Sequence, residues 1–233
     1  MRIAVVGGTG TVGRHLVGAL TQAGHAAVSL SRAGGVDIVS GDGLDDALHG
    51  IDALVDVSNL ASTNTAKATK FFTSGTRNLL EAERRAGVGH HVLLSIVGID
   101  QIPWGYYEAK VAQEGLALSG EVPVTVLRAT QFHEFPGQIL ARTARGPLAI
   151  VPAMLVQSVA AEDVAHVLAT AAVGRPAGRL PDLAGPTADP LPELARKLVR
   201  ARRKHTVVVP VRLPGRPARR WRTARSCPGR MPS

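Results

Sequence analysis

The chain has 233 residues, 45% of them apolar, enough to fill the core of one large domain or one domain with a small appendage. Its longest uncharged stretch, GPLAIVPAMLVQSVAA, carries two prolines, a Gln and a Ser. It is therefore no membrane span, and with no signal-peptide pattern at the start a soluble cytoplasmic protein is expected. The single cysteine, Cys227, excludes an intrachain disulfide, and the net charge of +9 is concentrated at one end: residues 196–233 hold 13 Lys/Arg and no Asp/Glu, leaving 14 basic against 18 acidic residues before them.

In chain order, RIAVVG reads as a strand covered on both faces, and TVGRHLVGALTQAGH as a helix through Val12, Leu16, Val17 and Leu20 that Gly24 stops. AAVSLSR is a second strand and VDIVSGD a short third. LDDALHG is a short helix closed by Gly50, and DALVDVS a fourth strand. The long amphipathic helix AKATKFFTSGTRNLLEAERRAGVG leads to a fifth strand, HHVLLSIVG. The helix YYEAKVAQEGLALSG and a sixth strand, PVTVLRAT, follow. Such alternation predicts right-handed βαβ units and a mostly parallel sheet covered on both faces, an α/β doubly wound fold.

After Thr130 the order loosens into two helices, FPGQILARTARG and AAEDVAHVLATAAVG, the second with Glu162 and Asp163 in its first turn, where the helix dipole favours acids. The expected organisation is an α/β domain over 1–131, to whose sheet later strands could return. A smaller region over 132–211 would lie over the carboxyl edge of that sheet. A basic Pro/Arg-rich tail over 212–233 would be disordered or loosely docked. Trp221 stands alone among the arginines of this tail, so nucleic-acid binding is not expected of it, and no membrane partner is expected either.

The strand-to-helix turn Gly7-Gly8-Thr9-Gly10-Thr11-Val12-Gly13 has the setting of a phosphate cradle. Gly7 permits the tight turn, Gly10 lets backbone approach a pyrophosphate, and Gly13 lets the helix pack near the strand. The helix N-terminus supplies the free N–H groups, so no lysine is needed. Thr9, Thr11 and Val12 belong to the same cradle. About 20 residues on, where a carboxylate would bond an NAD ribose, the chain has Ser31 and Arg32. An arginine there can pair with a 2′-phosphate, which favours NADP over NAD. Asp42 could contact the adenine or simply cap the following helix.

The glycine spacing, with GTRNLLEAERRAGV, HHVLLSIVG and YYEAKVAQE, resembles the short-chain dehydrogenase/reductase superfamily. VLLSIVGID, GYYEAKVAQE and TVLRATQFHEF, in this order, make the chain most similar to its atypical branch, the NmrA-like NAD(P)-binding proteins, over about residues 1–210. The resemblance implies a Rossmann domain, a small substrate-covering C-terminal region, and a catalytic trio at Ser95, Tyr106 and Lys110. Past VVVPVRLPG the chain departs from the family's pattern, as a shifted reading frame or a basic arm would.

The trio also makes chemical sense by itself. Tyr106 and Lys110 share a helix face, and an ammonium beside a phenol favours phenolate. Such a tyrosine could pass the proton of a carbonyl/alcohol pair, and Lys110 could hold the nicotinamide ribose. Tyr107, three residues from Lys110, could take the same part. Ser95, at the carboxyl end of the fifth strand, would face the crevice and bond a substrate oxygen. Ser58, closing the fourth strand, and Thr130 and Phe132, after the sixth, complete the expected cofactor contacts. His133 and Glu134 could point to a substrate pocket. His90 and His91 have no partner at metal spacing and are structural. The expected function is an NADP-preferring reductase or dehydrogenase acting on a small carbonyl, quinone or conjugated substrate. The rivals are a dinucleotide-binding redox sensor working through a protein partner, and a nucleotide-sugar epimerase.

Overall fold

The structure, a computed structural model, describes residues 1–60, 62, 64–101 and 105–212. The tail beyond, with Trp221 and Cys227, lies outside the described residues. The elements up to residue 129 are β1 (Arg2–Val6), α1 (Thr11–Gln22), β2 (Ala26–Leu30), α2 (Leu44–Leu48), β3 (Ala53–Asp56), α3 (Thr65–Ala86), β4 (His90–Ile96), α4 (Gly105–Ser119) and β5 (Val124–Ala129). They are followed by α5 (Phe135–Thr143), β6 (Ala144–Arg145), β7 (Leu148–Pro152), β8 (Leu155–Val156), α6 (Ala161–Val173), β9 (Gly178–Arg179), β10 (Asp189–Pro190), α7 (Leu191–Ala201) and β11 (Val207–Val211).

The chain divides into two compact units. The first comprises Met1–Ala129 with Ala161–Pro181, the second Thr130–Ala160 with the chain from Asp182 on. The first is built on a six-stranded sheet in the order β2-β1-β3-β4-β5-β9, every pair parallel. The order reverses after β2, so right-handed crossovers place helices on both faces. α1 packs with α6, and α3 with α2 and α4. Ala4, Val6, Leu30 and Leu54 meet Leu44, Leu48, Leu79 and Ala82 in one continuous core cluster beneath α2 and α3. The expected doubly wound α/β fold of Rossmann type is present.

Two elements differ from expectation. VDIVSGD forms no strand. Its apolar Val36 and Ile38 are buried in the α2–α3 cluster, but the chain turns there instead of running extended: Gly35, Gly41 and Gly43 all have positive φ. Asp37 Oδ1 accepts from Val39 N–H at 2.8 Å, and Asn78 Nδ2 donates to the Ile38 and Val39 carbonyls at 2.9 and 3.0 Å. The backbone is thus satisfied by turns and a side chain in place of a ladder. The sheet's sixth strand is β9, in register through Thr125↔Gly178 and Val126↔Arg179. The α6 helix joins the first unit because its buried stripe, Ala161, Val164, Ala165, Leu168 and Ala172, packs on α1 and the sheet.

The second unit holds a three-stranded sheet, β11-β7-β6, with β7 parallel to β11 and antiparallel to β6. Ala149, Val151 and Val208 point inward beneath α5 and α7, and the alternate residues Leu148, Ile150, Val207 and Val209 are exposed. The sequence reading assigned neither α7 nor β11. The signal for α7 is present: Pro192 in the first turn, then Leu191, Ala195 and Val199 at helical spacing, all buried.

Candidate functional site

The loop from Gly7 to Gly13 joins β1 to α1, and its glycines serve different ends. Gly7 has φ +81°, and a Cβ there would meet Ser58 Cα and Val57 O at 3.0 Å. A Cβ at Gly13 would lie 2.6 Å from Gly8 Cα. Both are therefore required by the protein's own packing. Gly10 is exposed, and among the described residues a Cβ there would meet only Gly7 O, at 3.1 Å. It is the N-cap of α1, extended at φ −76° and ψ −177°, with no side-chain cap and no acidic residue in the first turn. A 12-residue helix thus presents an uncapped amino end behind an open glycine, with exposed Thr9 and half-buried Thr11 beside it and Val12 buried beneath. These residues fit a diphosphate: unpaired N–H groups and the positive end of the dipole face the one place where a side chain has been left out.

β1 and β2 end side by side, Val6 in register with Leu30, so the residues after Leu30 lie next to the glycine loop. Ser31 caps a short 3-10 turn, its Oγ accepting from Gly34 N–H at 3.3 Å. Arg32 is exposed, and its guanidinium makes no hydrogen bond or ion pair among the described residues. Asp42 does not cap α2. Its Oδ2 accepts from Ser40 Oγ at 2.7 Å, and Gly43 is the N-cap without any side-chain bond.

A second group of residues gathers where β3 and β4 meet α4. Lys110 is buried, its Nζ donating to the Leu94 carbonyl at 2.9 Å and to Gln113 Oε1 at 2.5 Å. Nζ also stands 4.9 Å from the centroid of the Phe72 ring. Burial pushes the Lys110 pKa down to about 8, against the opposing charges of Asp56 and Glu114. Tyr106 meets the same Phe72 ring edge-on at 5.7 Å, and its hydroxyl donates to Asn59 Oδ1 at 2.8 Å. Tyr107 packs edge-on against Tyr106 at 5.6 Å. The structure therefore brings Tyr106 and Lys110 together around Phe72. At the end of β3, Ser58 N–H donates to Asp56 Oδ1 at 2.8 Å, while Ser58 Oγ is buried with no hydrogen-bond partner among the described residues.

Ser95 is placed differently from the sequence reading. Alternation along β4 turns it to the α4 side with His91 and Leu93, where it is 1% exposed. Its Oγ makes no hydrogen bond of ordinary geometry but lies near enough to the Glu114 carboxylate to help lower its pKa. It sits in the layer that carries the Arg128–Glu114 pair. His90 and His91 are buried, bonded to Thr125 Oγ1 at 2.8 Å and Glu83 Oε1 at 2.7 Å, as structural residues would be. Among the described residues no His/Cys/Asp/Glu group could hold a metal.

Thr130 and Phe132 fall in the second unit. Thr130 N–H donates to Leu183 O at 2.9 Å and its Oγ1 to Gln157 O at 2.5 Å, and Phe132 bridges Val159. His133 and Glu134 are exposed. Asp56, Asn59 and Gln113 escaped the sequence reading. Of these only Gln113 carries a signal, three positions beyond Lys110 on one helix face.

A family model described as NAD(P)H-binding matches residues 7–173. A Photosystem II assembly factor of Synechocystis sp., Ycf39, is 34% identical, with 44% of this chain matched. The chain spans 36% of the length of that curated relative. Among solved structures, the Thermus thermophilus UDP-glucose 4-epimerase complex with NAD superposes with a TM-score of 0.74 at 20% identity, over 93% of this chain and 88% of that one. The Escherichia coli NADPH-dependent quinone oxidoreductase complexed with NADPH superposes with a TM-score of 0.70 at 21% identity, over 90% and 78%. At such identities the likeness is one of fold.

Proposed function

The chain belongs to the NAD(P)H-binding family, as an atypical short-chain dehydrogenase/reductase, and from that premise we propose that it is an NADP-preferring oxidoreductase of small carbonyl, quinone or conjugated substrates. The observation that carries the reading is the pairing of Tyr106 and Lys110 around Phe72, one helical turn apart, with the lysine desolvated.

The residues divide the task. Gly10 and the amino end of α1 receive the diphosphate, and Ser31 with Arg32 the adenosine phosphate. The Ser58 hydroxyl, buried and without a partner among the described residues, suits a ribose contact. The chemistry that a nicotinamide would supply there, when bound, is hydride transfer. Lys110 has one N–H left after Leu94 O and Gln113, which suits it to a ribose hydroxyl. Its charge beside the aromatic cluster favours a Tyr106 phenol that gives or takes a proton at its hydroxyl oxygen. Ser95, enclosed beside Glu114, is assigned no proton transfer. Substrate selection is assigned to the second unit, through the exposed His133 and Glu134, and a cytoplasmic location belongs to the same reading.

One observation favours a second reading, a dinucleotide-binding sensor without turnover: the Tyr106 hydroxyl is already donated to Asn59. One experiment separates the two. Purified protein is mixed with NADPH and a panel of carbonyls and quinones, and binding is followed by calorimetry. Turnover that Tyr106→Phe abolishes while binding persists supports the enzyme. Binding with no oxidation of NADPH by any substrate supports the sensor, and absence of binding overturns both.

A further inference from the structure

Lys110 is held by more than the Leu94 carbonyl. Gln113, on the same face of α4, is 1% exposed, and its amide is used at both ends. Oε1 accepts from Lys110 Nζ at 2.5 Å, and Nε2 donates to Asp56 Oδ2 at 3.0 Å. Asp56, also 1% exposed, turns its other oxygen to the Ser58 N–H at 2.8 Å. The amide has one workable orientation. Flipped, it would set its NH2 group against an ammonium and its carbonyl against a carboxylate, leaving two buried charges facing like dipoles. The glutamine also keeps Lys110 and Asp56 from closing into a direct buried ion pair, which would take the ammonium's remaining N–H.

We propose that Gln113 is a positioning residue: by spanning Lys110 and Asp56 it fixes the lysine ammonium at the Leu94 carbonyl and ties its orientation to the Ser58 turn beside the glycine loop. The tie is short and continuous, since Ser58 is also the residue that a Cβ on Gly7 would strike at 3.0 Å. A ligand seated against Ser58 therefore presses on the same turn that orients Asp56, Gln113 and Lys110 in sequence. The inference rests on the dinucleotide reading only for the ligand's identity; the Lys110–Gln113–Asp56 arrangement stands without it. The charged groups acting on Lys110 are Asp56 from β3 and Glu114 from α4, with the Phe72 ring from α3 against it.

The test measures the cofactor-free protein first. The Lys110 titration midpoint is read by NMR of isotope-labelled lysine, with Lys110→Arg supplying the assignment, in wild type, Gln113→Leu and Gln113→Glu. Wild type is expected to titrate near 8. Leucine removes an acceptor of the charged form and should lower the midpoint. Glutamate places a carboxylate on the ammonium and should raise it, each by roughly one unit. A residue that merely fills space would not shift the two variants in opposite directions. In a second arm, calorimetry with NADPH should show about fivefold weaker binding for Gln113→Leu, the scale of one lost hydrogen bond. Should Gln113→Leu fail to fold, Gln113→Met repeats both arms. Unchanged midpoints in both variants overturn the proposal. Opposite shifts in the two variants, with no dinucleotide bound by the wild-type protein, overturn the dinucleotide reading alone and leave the positioning role supported.

Discussion

His91 Nδ1 and Glu83 Oε1 lie 2.7 Å apart, with both side chains wholly enclosed between β4 and α3. Burial pulls the His91 pKa down, but the charge and hydrogen bond of Glu83, with a contribution from Asp56, outweigh it and leave the pKa raised. The charged pair therefore adds stability in full below the unfolded histidine value of about 6.5, and loses it as pH rises through the folded pKa. Adjacent His90 has a lowered pKa, chiefly from burial, and contributes with the opposite slope. Glu83→Gln separates them. Urea unfolding across pH should show the variant about 3 kcal/mol less stable at pH 6, with the gap narrowing as pH rises. A gap independent of pH would mean that the pair is uncharged.

Arg128 holds two acids of unequal worth. Glu114 is 1% exposed and receives Arg128 at 2.7 and 2.8 Å, together with Arg179, whereas Asp100 is 57% exposed. Glu114→Ala takes the enclosed acid from Arg128 and Arg179, leaving Arg128 only the exposed Asp100, and should cost about 3 kcal/mol. Asp100→Ala should cost under about 1 kcal/mol. Burial raises the Glu114 pKa, but Arg128, Ser95 and Arg179 together lower it. Its contribution is thus present above the unfolded carboxyl value and lost as pH falls through the folded one. Thermal melts at pH 7 and 3 check both statements. Equal costs for the two variants would refute the ranking.

Gly13 and Gly10 should respond in different ways to the same added methyl. Gly13→Ala drives a Cβ to 2.6 Å from Gly8 Cα, against backbone that cannot yield, and should destabilise the fold by about 2 kcal/mol or more. Gly10→Ala meets only Gly7 O, at 3.1 Å. It should keep its melting temperature within a few degrees while NADPH binding drops at least tenfold. Paired melting and binding measurements decide. Retained binding in Gly10→Ala would remove the reason for reading an open amide cradle there.

Arg32 has no intramolecular partner among the described residues, so reversing its charge should leave the fold intact. Arg32→Glu should weaken NADPH binding about tenfold or more while changing NADH affinity little, because a charge-assisted contact to phosphate is worth about 1.5 to 3 kcal/mol. Calorimetry with both dinucleotides gives the ratio. An unchanged ratio assigns the 2′-phosphate to another residue.

How far the sequence could be read depends on how local each signal is. The β1 and α1 pair was legible because Ile3 to Val6, the glycines and the Val12, Leu16, Leu20 stripe each report their own conformation. VDIVSGD misled because Val36 and Ile38 alternate as a strand would, while Gly35, Gly41 and Gly43 decide the backbone. α7 hid behind its charges: Arg196, Lys197 and Arg200 drew the eye from Leu191, Ala195 and Val199. β9 is two residues long and has no period to detect. Tyr106 and Lys110 were readable from spacing four apart. Asp56 and Gln113 were not, because a carboxylate and an amide 57 positions apart become partners only when β3 and α4 are set side by side.

The first unit returns to the chain only after 31 residues spent in the second, since Thr130–Ala160 separates β5 from α6. On a translating ribosome, the face of α1 that packs with α6 is made long before its cover. The amino-terminal stretch therefore emerges with an unsealed hydrophobic surface and cannot complete its sheet until β9 has cleared the exit tunnel. A chain cut anywhere before that point keeps that face of α1 uncovered and its sheet one strand short.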